Sequence, residues 1–275
     1  MLRQLTEKDR EIALAFAGDC PSENIFILGD IEAFGFEDKK VTVWGAFNDS
    51  GEMTSLLLRY NGNFIPYARD VSKLNGQEWA ELIYQDGRLE TLSGLKTVVE
   101  RILPYIKQTL REKKTAYYAK RNFEAPLDLT ASRRRDIRML FPEETDKIVQ
   151  LRASIPEFSK IEQSQESFRE NMEKGISRTF YIEKNGEPVS AVSTTAETRG
   201  AAMIVGVCTK KGYEQQGYAT SCLVKTLAAL KAEHKEACLV YDNPVAGKMY
   251  KKYGFTDIDK WVMAVYQKKN NGLRE

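Results

Sequence analysis

Val207-Cys208-Thr209-Lys210-Lys211-Gly212-Tyr213-Glu214-Gln215-Gln216-Gly217-Tyr218-Ala219-Thr220 passes from β-branched residues through a polar loop with two glycines into small residues. Upstream, Ala201 to Thr209 has the composition of a buried strand. Downstream, Leu223, Leu227 and Leu230 recur at helical spacing. The segment therefore predicts a strand, a loop and a helix N-terminus. The first turn of such a helix has unpaired N–H donors and about half a positive charge, which together favour a phosphate. Gly217 lets the backbone approach closely, and Ala219 and Thr220 add little bulk.

Three readings of the loop compete. A phosphate-binding P-loop has two glycines at the separation of Gly212 and Gly217, but Lys-Ser/Thr must follow the second, and Tyr218-Ala219 stands there. A dinucleotide fingerprint needs Gly-x-Gly-x-x-Gly, which is absent. An ordinary strand-to-helix turn stays open on the loop alone. A second segment bears on that choice: Asn243, Ala246, Tyr250, Gly254 and Phe255 form the pattern Asn-x-x-Ala-x-x-x-Tyr-x-x-x-Gly-Phe just after the apolar stretch Ala237 to Tyr241.

The two segments, in this order and spacing, resemble the GNAT superfamily of acetyl-coenzyme A-dependent N-acetyltransferases over about Arg135 to Tyr266. The family's loop reads Arg/Gln-x-x-Gly-x-Gly/Ala, and Glu214-Gln215-Gln216-Gly217-Tyr218-Ala219 occupies it here. The resemblance implies an α/β (α+β) fold with a mixed, mostly antiparallel central sheet flanked by helices. It implies acetyl-CoA as cosubstrate, no metal, and direct attack of an amine on the thioester. The pantetheine arm would pair with the backbone of Val207, Cys208 and Thr209 as an added strand does. The remaining cofactor contacts would come from Glu214, Gln215, Gln216, Gly217, Tyr218, Ala219, Thr220, Asn243 and Lys248.

Tyr250 holds the position of the family's general acid, and a phenol with pKa near ~10 is protonated at neutral pH and can donate to sulfur. The alternative is a packing aromatic on a helix. A base is harder to find. An alkylamine with pKa near ~10.4 is protonated at pH 7, and reaching the free base costs about 4 to 5 kcal/mol. Some members carry a glutamate on the strand, but Met203 stands at that position. Glu197 is the candidate base and Asp242 the other available carboxylate; both also read as solvated loop charges. Glu214 departs from the family pattern as well: a carboxylate ~6 Å from a pyrophosphate costs on the order of 1 to 3 kcal/mol. Lys210, Lys211 and Lys248 are the cations available to offset it.

The expected function is transfer of an acetyl group from acetyl-CoA to a primary amine of a small molecule, an amino acid or a protein. The alternative, credible because of Glu214 and Met203, is a GNAT-like domain that senses coenzyme A or another ligand without turnover. The acceptor would be chosen by variable segments such as Pro156 to Lys174.

With 275 residues, two domains are expected. The 41 basic and 39 acidic residues nearly balance, which gives no warrant for a nucleic-acid partner, and Arg133-Arg134-Arg135 reads as a solvated linker. No stretch approaches ~20 apolar residues. Arg3, Glu7, Lys8, Asp9 and Arg10 stand where a signal peptide needs an apolar core. The expectation is a cytoplasmic monomer or homodimer with no membrane partner. Cys20, Cys208, Cys222 and Cys238 lack Cys-x-x-Cys spacing, and with one histidine no zinc site can be assembled; they read as reduced, mostly buried thiols.

Expected domain ranges are 1–128 and 135–275. The second reads β-α-α-β-β-β-α-β-α-β-β, with a short strand over Arg135 to Leu140, an amphipathic helix over Gln165 to Glu173, a hairpin around Asn185-Gly186 and a last hairpin ending at Tyr266. In the first, Val41 to Phe47, Met53 to Tyr60 and Phe64 to Tyr67 read as a meander, followed by a helical pattern that Pro104 interrupts. This half carries no anion-binding loop. It reads either as a degenerate copy of the same fold, making a tandem protein with one working site, or as an unrelated α/β domain.

Overall fold

The computed structural model describes residues 1–158 and 164–267. Of the segment Pro156 to Lys174, residues 159–163 lie outside the described residues. The elements in chain order are β1 (Leu2–Gln4), α1 (Arg10–Gly18), α2 (Ile25–Phe34), β2 (Val41–Phe47), β3 (Met53–Tyr60), β4 (Asn63–Ala68), α3 (Gly76–Asp86), β5 (Thr91–Leu95), α4 (Lys96–Ile102) and β6 (Leu110–Arg121). They continue with α5 (Thr130–Arg133), β7 (Arg138–Met139), α6 (Thr145–Ala153), α7 (Gln165–Glu173), β8 (Thr179–Lys184), β9 (Glu187–Thr195), β10 (Ala201–Thr209), α8 (Tyr218–Ala232), β11 (Glu236–Tyr241), α9 (Pro244–Lys252) and β12 (Thr256–Tyr266).

The chain divides into two compact units: Met1–Tyr118 with the stretch from Asp257 onward, and Ala119–Thr256. In the first, β1 to β4 pair antiparallel in sequence order, β4 pairs parallel with β5, and β12 closes the other side of β5 antiparallel. Its core joins Leu57, Phe64 and Leu92 of the sheet to Trp79 and Ile83 of α3 and Val98, Val99 and Ile102 of α4.

The second unit repeats the pattern. β7, β8, β9 and β10 pair antiparallel in that order, β10 pairs parallel with β11, and β11 is next to the end of β6. The period of two sends Ile182 and Val192 into one core and Tyr181 and Ala191 into another; on β10, Ile204 joins the first and Cys208 the second because a register shift between Val205 and Cys208 changes the face. The first core is covered by α8 through Tyr218, Cys222, Leu223, Leu227 and Leu230 and by Tyr250 of α9; the second by Ile148 and Leu151 of α6 and Phe168 of α7. The succession β-α-α-β-β-β-α-β-α-β thus occurs twice, as β1 to β6 and, leaving out α5, as β7 to β12. Both copies form mixed, mostly antiparallel sheets flanked by helices.

The structure differs from expectation at three places. The last hairpin is a single strand: β12 runs unbroken from Thr256 to Tyr266, and from Trp261 to Val265 it pairs with Leu95 to Thr91 of the first unit. The expected range 135–275 therefore loses its last strand. The linker belongs to the second unit, because polar side chains hold it there. Arg121, 2 % exposed, donates to the carbonyls of Ala125, Pro126 and Tyr253, and Lys231 Nζ donates to those of Phe123, Glu124 and Ala125. The strand expected over Arg135 to Leu140 is reduced to Arg138–Met139.

Candidate active site

The loop before α8 is built to expose amides. Gly212, Gln215 and Gly217 all adopt left-handed backbone angles, with φ of +89, +59 and +80°. For Gln215 that conformation is strained, and it is held by the surrounding turn. Gly217 is the N-cap of α8 and no side chain caps the helix. A Cβ built on Gly212 or Gly217 meets nothing within 4 Å, so the space before the helix is open. Left-handed residues in a turn that leads into an uncapped helix aim successive N–H groups at one point, which is an anion nest. The pyrophosphate of a coenzyme fits this donor set.

Side chains around the nest are arranged differently from expectation. Glu214 folds back so that its carboxylate accepts from Gly212 N–H, taking one of the donors a phosphate would use. Lys210 does not offset it, because its ammonium pairs with Glu187. The cation at the helix start is Arg135, read from sequence as part of a solvated linker. Its guanidinium lies 4.0 Å above the Tyr218 ring and donates to the Gln216 carbonyl. A run of three arginines gives no hint of which one turns toward the loop; the contact exists only because α5 packs on α8, where Ser221 Oγ donates to the Ala131 carbonyl at 2.9 Å. Asn243 serves as a helix cap: its Oδ1 accepts from Val245 N–H at 2.9 Å. Lys211, Lys248 and Asp242 are exposed.

Between the parallel strands β10 and β11 the ladder ends early. Ala201, Ala202 and Met203 pair with Glu236, Ala237 and Cys238, and no register pair follows, while β9 continues beside β10 as far as Thr209. One edge of β10 from Ile204 to Thr209 is thus left with backbone groups that an added extended chain can pair with. Val207 and Thr209 are half-buried on this stretch and Cys208 is buried. A bulge falls in the same place: Val205 pairs with Ser193 and Cys208 with Ala191, so β10 carries one extra residue. Gly206 sits in it at φ +59°, and a Cβ there would lie 2.4 Å from the Arg152 guanidinium. Sequence reasoning missed Arg152. The available signal was its place on the apolar face of α6, beside Ile148 and Leu151, where a charge is out of pattern.

The titratable groups separate by role. Burial pushes the Cys208 thiol up to about 11 and the Cys222 thiol up to about 12, so both stay protonated and are not nucleophiles. Tyr250 is buried, its ring edge-on to Tyr241 at 5.6 Å and to Phe255 at 5.8 Å, and burial pushes its phenol up to about 12. Glu197, the candidate base, is locked in an ion-pair cluster. Its carboxylate accepts from Arg178 Nε at 2.8 Å, Lys235 Nζ at 2.9 Å and the Thr194 hydroxyl at 2.5 Å. Burial raises its pKa, but the bonds from Arg178, Thr194 and Lys235 outweigh that and hold it below the usual range. A carboxylate so held is a weaker base than a free one, and three donors already occupy it. Met203 is buried in β10. Among the described residues no group of acidic, cysteine or histidine side chains could hold a metal ion, and no helix is long and apolar enough to cross a membrane.

Residues 144–264 match the family described as acetyltransferase (GNAT) domain. The match runs on into β12, the strand that the fold places in the first unit. A search of curated proteins finds no match. Among solved structures, a Drosophila protein is similar at 11% identity and a TM-score of 0.63, with 96% of this chain and 98% of that one covered. A GCN5-related N-acetyltransferase from Sphaerobacter thermophilus is similar at 14% identity and a TM-score of 0.58, covering 96% and 94%. A tandem GNAT protein from the clavulanic acid biosynthesis pathway is similar at 11% identity and a TM-score of 0.55, covering 96% and 97%. At these identities the likeness concerns the fold, which the chain shares along nearly its whole length. Residues 144–264 thus match the GNAT acetyltransferase domain, and the uncapped α8 and the interrupted β10–β11 ladder both fall within them.

Proposed function

We propose that the second unit transfers an acetyl group from acetyl-CoA to a primary amine. The observation that carries this reading is the open, uncapped N-terminus of α8 next to the unpaired edge of β10. The loop amides and Arg135 would hold the pyrophosphate, and the backbone at Val207 to Thr209 the pantetheine arm. The amine nitrogen forms a bond to the acetyl carbon, the carbon–sulfur bond breaks, and its electron pair goes to sulfur. The ammonium first gives one proton to water; the nitrogen loses a second as the amide forms, and that proton passes through water to the thiolate sulfur, so the products are amide and thiol. The Tyr250 phenol would donate to the departing thiolate. With the phenol near 12 and a thiol near ~8.5, full proton transfer is uphill, so the hydrogen bond itself supplies the stabilisation.

The first unit is, in the same proposal, a GNAT-like copy without a cofactor site. Its repeated element order and the whole-length likeness to a tandem GNAT protein support this. The position equivalent to the anion nest is sealed. Asn75 caps α3 by accepting from Glu78 N–H, and a Cβ on Gly76 would lie 1.8 Å from the Arg101 carbonyl oxygen. We place the protein in the cytoplasm, as a monomer or homodimer acting on a small-molecule or protein amine.

The test is thiol release from acetyl-CoA with a panel of primary amines. Amine-dependent release supports an enzyme. Tight coenzyme A binding without release from any amine would favour the sensor reading, which the carboxylate on Gly212 and the engaged Glu197 also suit.

A further inference from the structure

Beside the bulge, α6, α7, β9 and β10 enclose a cavity of about 430 Å³, in the lower part of the range for small-molecule sites. Val205 forms one wall, so the cavity lies where the unpaired edge of β10 begins. Its lining includes Arg152, Ser167, Asn171, Ser177, Ser193 and Thr195. Hydroxyl and carboxamide groups of this kind can all donate hydrogen bonds.

Arg152 gives the cavity its character. It is 7 % exposed, its Nη2 donates to Ser193 Oγ at 2.6 Å, and its guanidinium lies 5.1 Å from the Phe168 ring centroid. Ser193 Oγ is in turn 2.5 Å from Thr179 Oγ1, which fixes it, and Ser177 Oγ is anchored on the Thr194 carbonyl at 2.7 Å. Contact with the Gly206 bulge on the far side stops the guanidinium from withdrawing. A planar cation held rigidly at low exposure attracts an anion more strongly than one in water, and its fork matches a carboxylate.

We propose that this cavity binds the acetyl acceptor, and that the acceptor is a small primary amine carrying a carboxylate that Arg152 recognises, an amino acid or a compound built like one. The inference rests on the proposed function, since it names the acceptor of that reaction. In an α- or β-amino acid the nitrogen is two or three bonds from the carboxylate carbon, so binding at Arg152 delivers the amine to the bulge. A lysine amine would arrive on a long apolar stem, for which a cavity lined by hydroxyls is a poor match, and a protein N-terminus carries an amide where the free amino acid carries its carboxylate.

The experiment is calorimetric, on the full chain, and uses dead-end complexes so that turnover is not required. Coenzyme A is titrated first. The coenzyme A-saturated protein is then titrated with α-amino acids and with the carboxamides of the same amino acids, which keep the amine and lose the negative charge. The expected result is that at least one amino acid binds tenfold or more tightly than its carboxamide. Asn171→Asp, isosteric at a half-buried position, should cut that preference by tenfold or reverse it, and Arg152→Gln should abolish it. Should Arg152→Gln fail to fold, Asn171→Asp alone decides. Equal affinities in every pair, no binding of any amino acid, or a preference that Asn171→Asp leaves intact would overturn the inference. Failure of the first titration would overturn the proposed function instead.

Discussion

Glu214→Gln should tighten coenzyme A binding, and the structure sets how much. The wild-type carboxylate accepts from Gly212 N–H, inside the nest. It therefore opposes the pyrophosphate twice, by charge and by occupying a donor. At ~6 Å the charge term is about 0.7 kcal/mol in water and about 3 kcal/mol at an effective dielectric of 20. Glu214 is exposed, so the lower end applies, about 1 kcal/mol. Replacing a charge-assisted acceptor on Gly212 by a neutral one makes that amide easier to release, by up to about 1 kcal/mol. Together these predict a Kd lower by roughly five- to thirtyfold. The amide of glutamine preserves shape, so the change isolates charge. Calorimetric titration of acetyl-CoA at two ionic strengths is the assay, and the gain should shrink as salt screens the exposed carboxylate. An unchanged or weaker complex at low salt would refute the argument. It would mean that Glu214 orders the nest rather than competing for it.

Three further outcomes are expected. Tyr250→Phe keeps the ring between Tyr241 and Phe255; acetyl-CoA affinity should hold while the single-turnover rate falls ~10- to 100-fold, the worth of one hydrogen bond to a charged group. An unaltered rate would make the tyrosine a packing residue. Glu197→Gln should destabilise the fold by about 3 kcal/mol, because Arg178 and Lys235 lose their shared carboxylate, with turnover of the folded protein unchanged; lost turnover at unchanged stability would restore it as the base. Asp30 is raised from 3.8 to about 7 by burial. The folded state thus holds a proton that the unfolded chain releases, and stability drains away as pH rises from about 4 to 7. Asp30→Asn should be stabilising by up to about 4 kcal/mol at pH 8 and neutral near pH 3.5, read from denaturant midpoints at the two pH values.

The part of the fold legible in the sequence is the part governed by local pattern. Ala201–Thr209 and Gln165–Glu173 have the bounds that periodicity gives them, and β2 and β3 are flanked by readable turns. What was not legible depends on partners far away in sequence. Asp257 and Asp259 look like turn residues, yet Asp259 accepts from the Thr97 amide and hydroxyl, and the strand continues to pair with β5. β6 escapes notice because Leu110 to Thr115 are exposed and four of them, Arg111 to Lys114, are charged, with no alternation to read. α2 is apolar nearly all round, which looks the same for a helix and a buried strand. In the candidate site, the backbone elements were readable from Gly217 and its neighbours. The charges were not: Glu197 looks solvated until Arg178 and Lys235 converge on it, Arg135 looks like solvated linker until the fold brings it to the loop, and nothing singles out Arg152 until it meets the bulge.

The central claim is that the nest before α8 binds the pyrophosphate of acetyl-CoA, and Gly217→Asp tests it most directly. At φ +80° an aspartate is tolerated poorly but not excluded, and the space in front of the residue is open. The protein should therefore fold, with a carboxylate standing where the phosphates would lie. Circular dichroism establishes folding, and calorimetric titration of acetyl-CoA gives the result. Measurable binding to the wild type and none to the folded variant is the predicted outcome; equal affinity of the two proteins would contradict the assignment of the site.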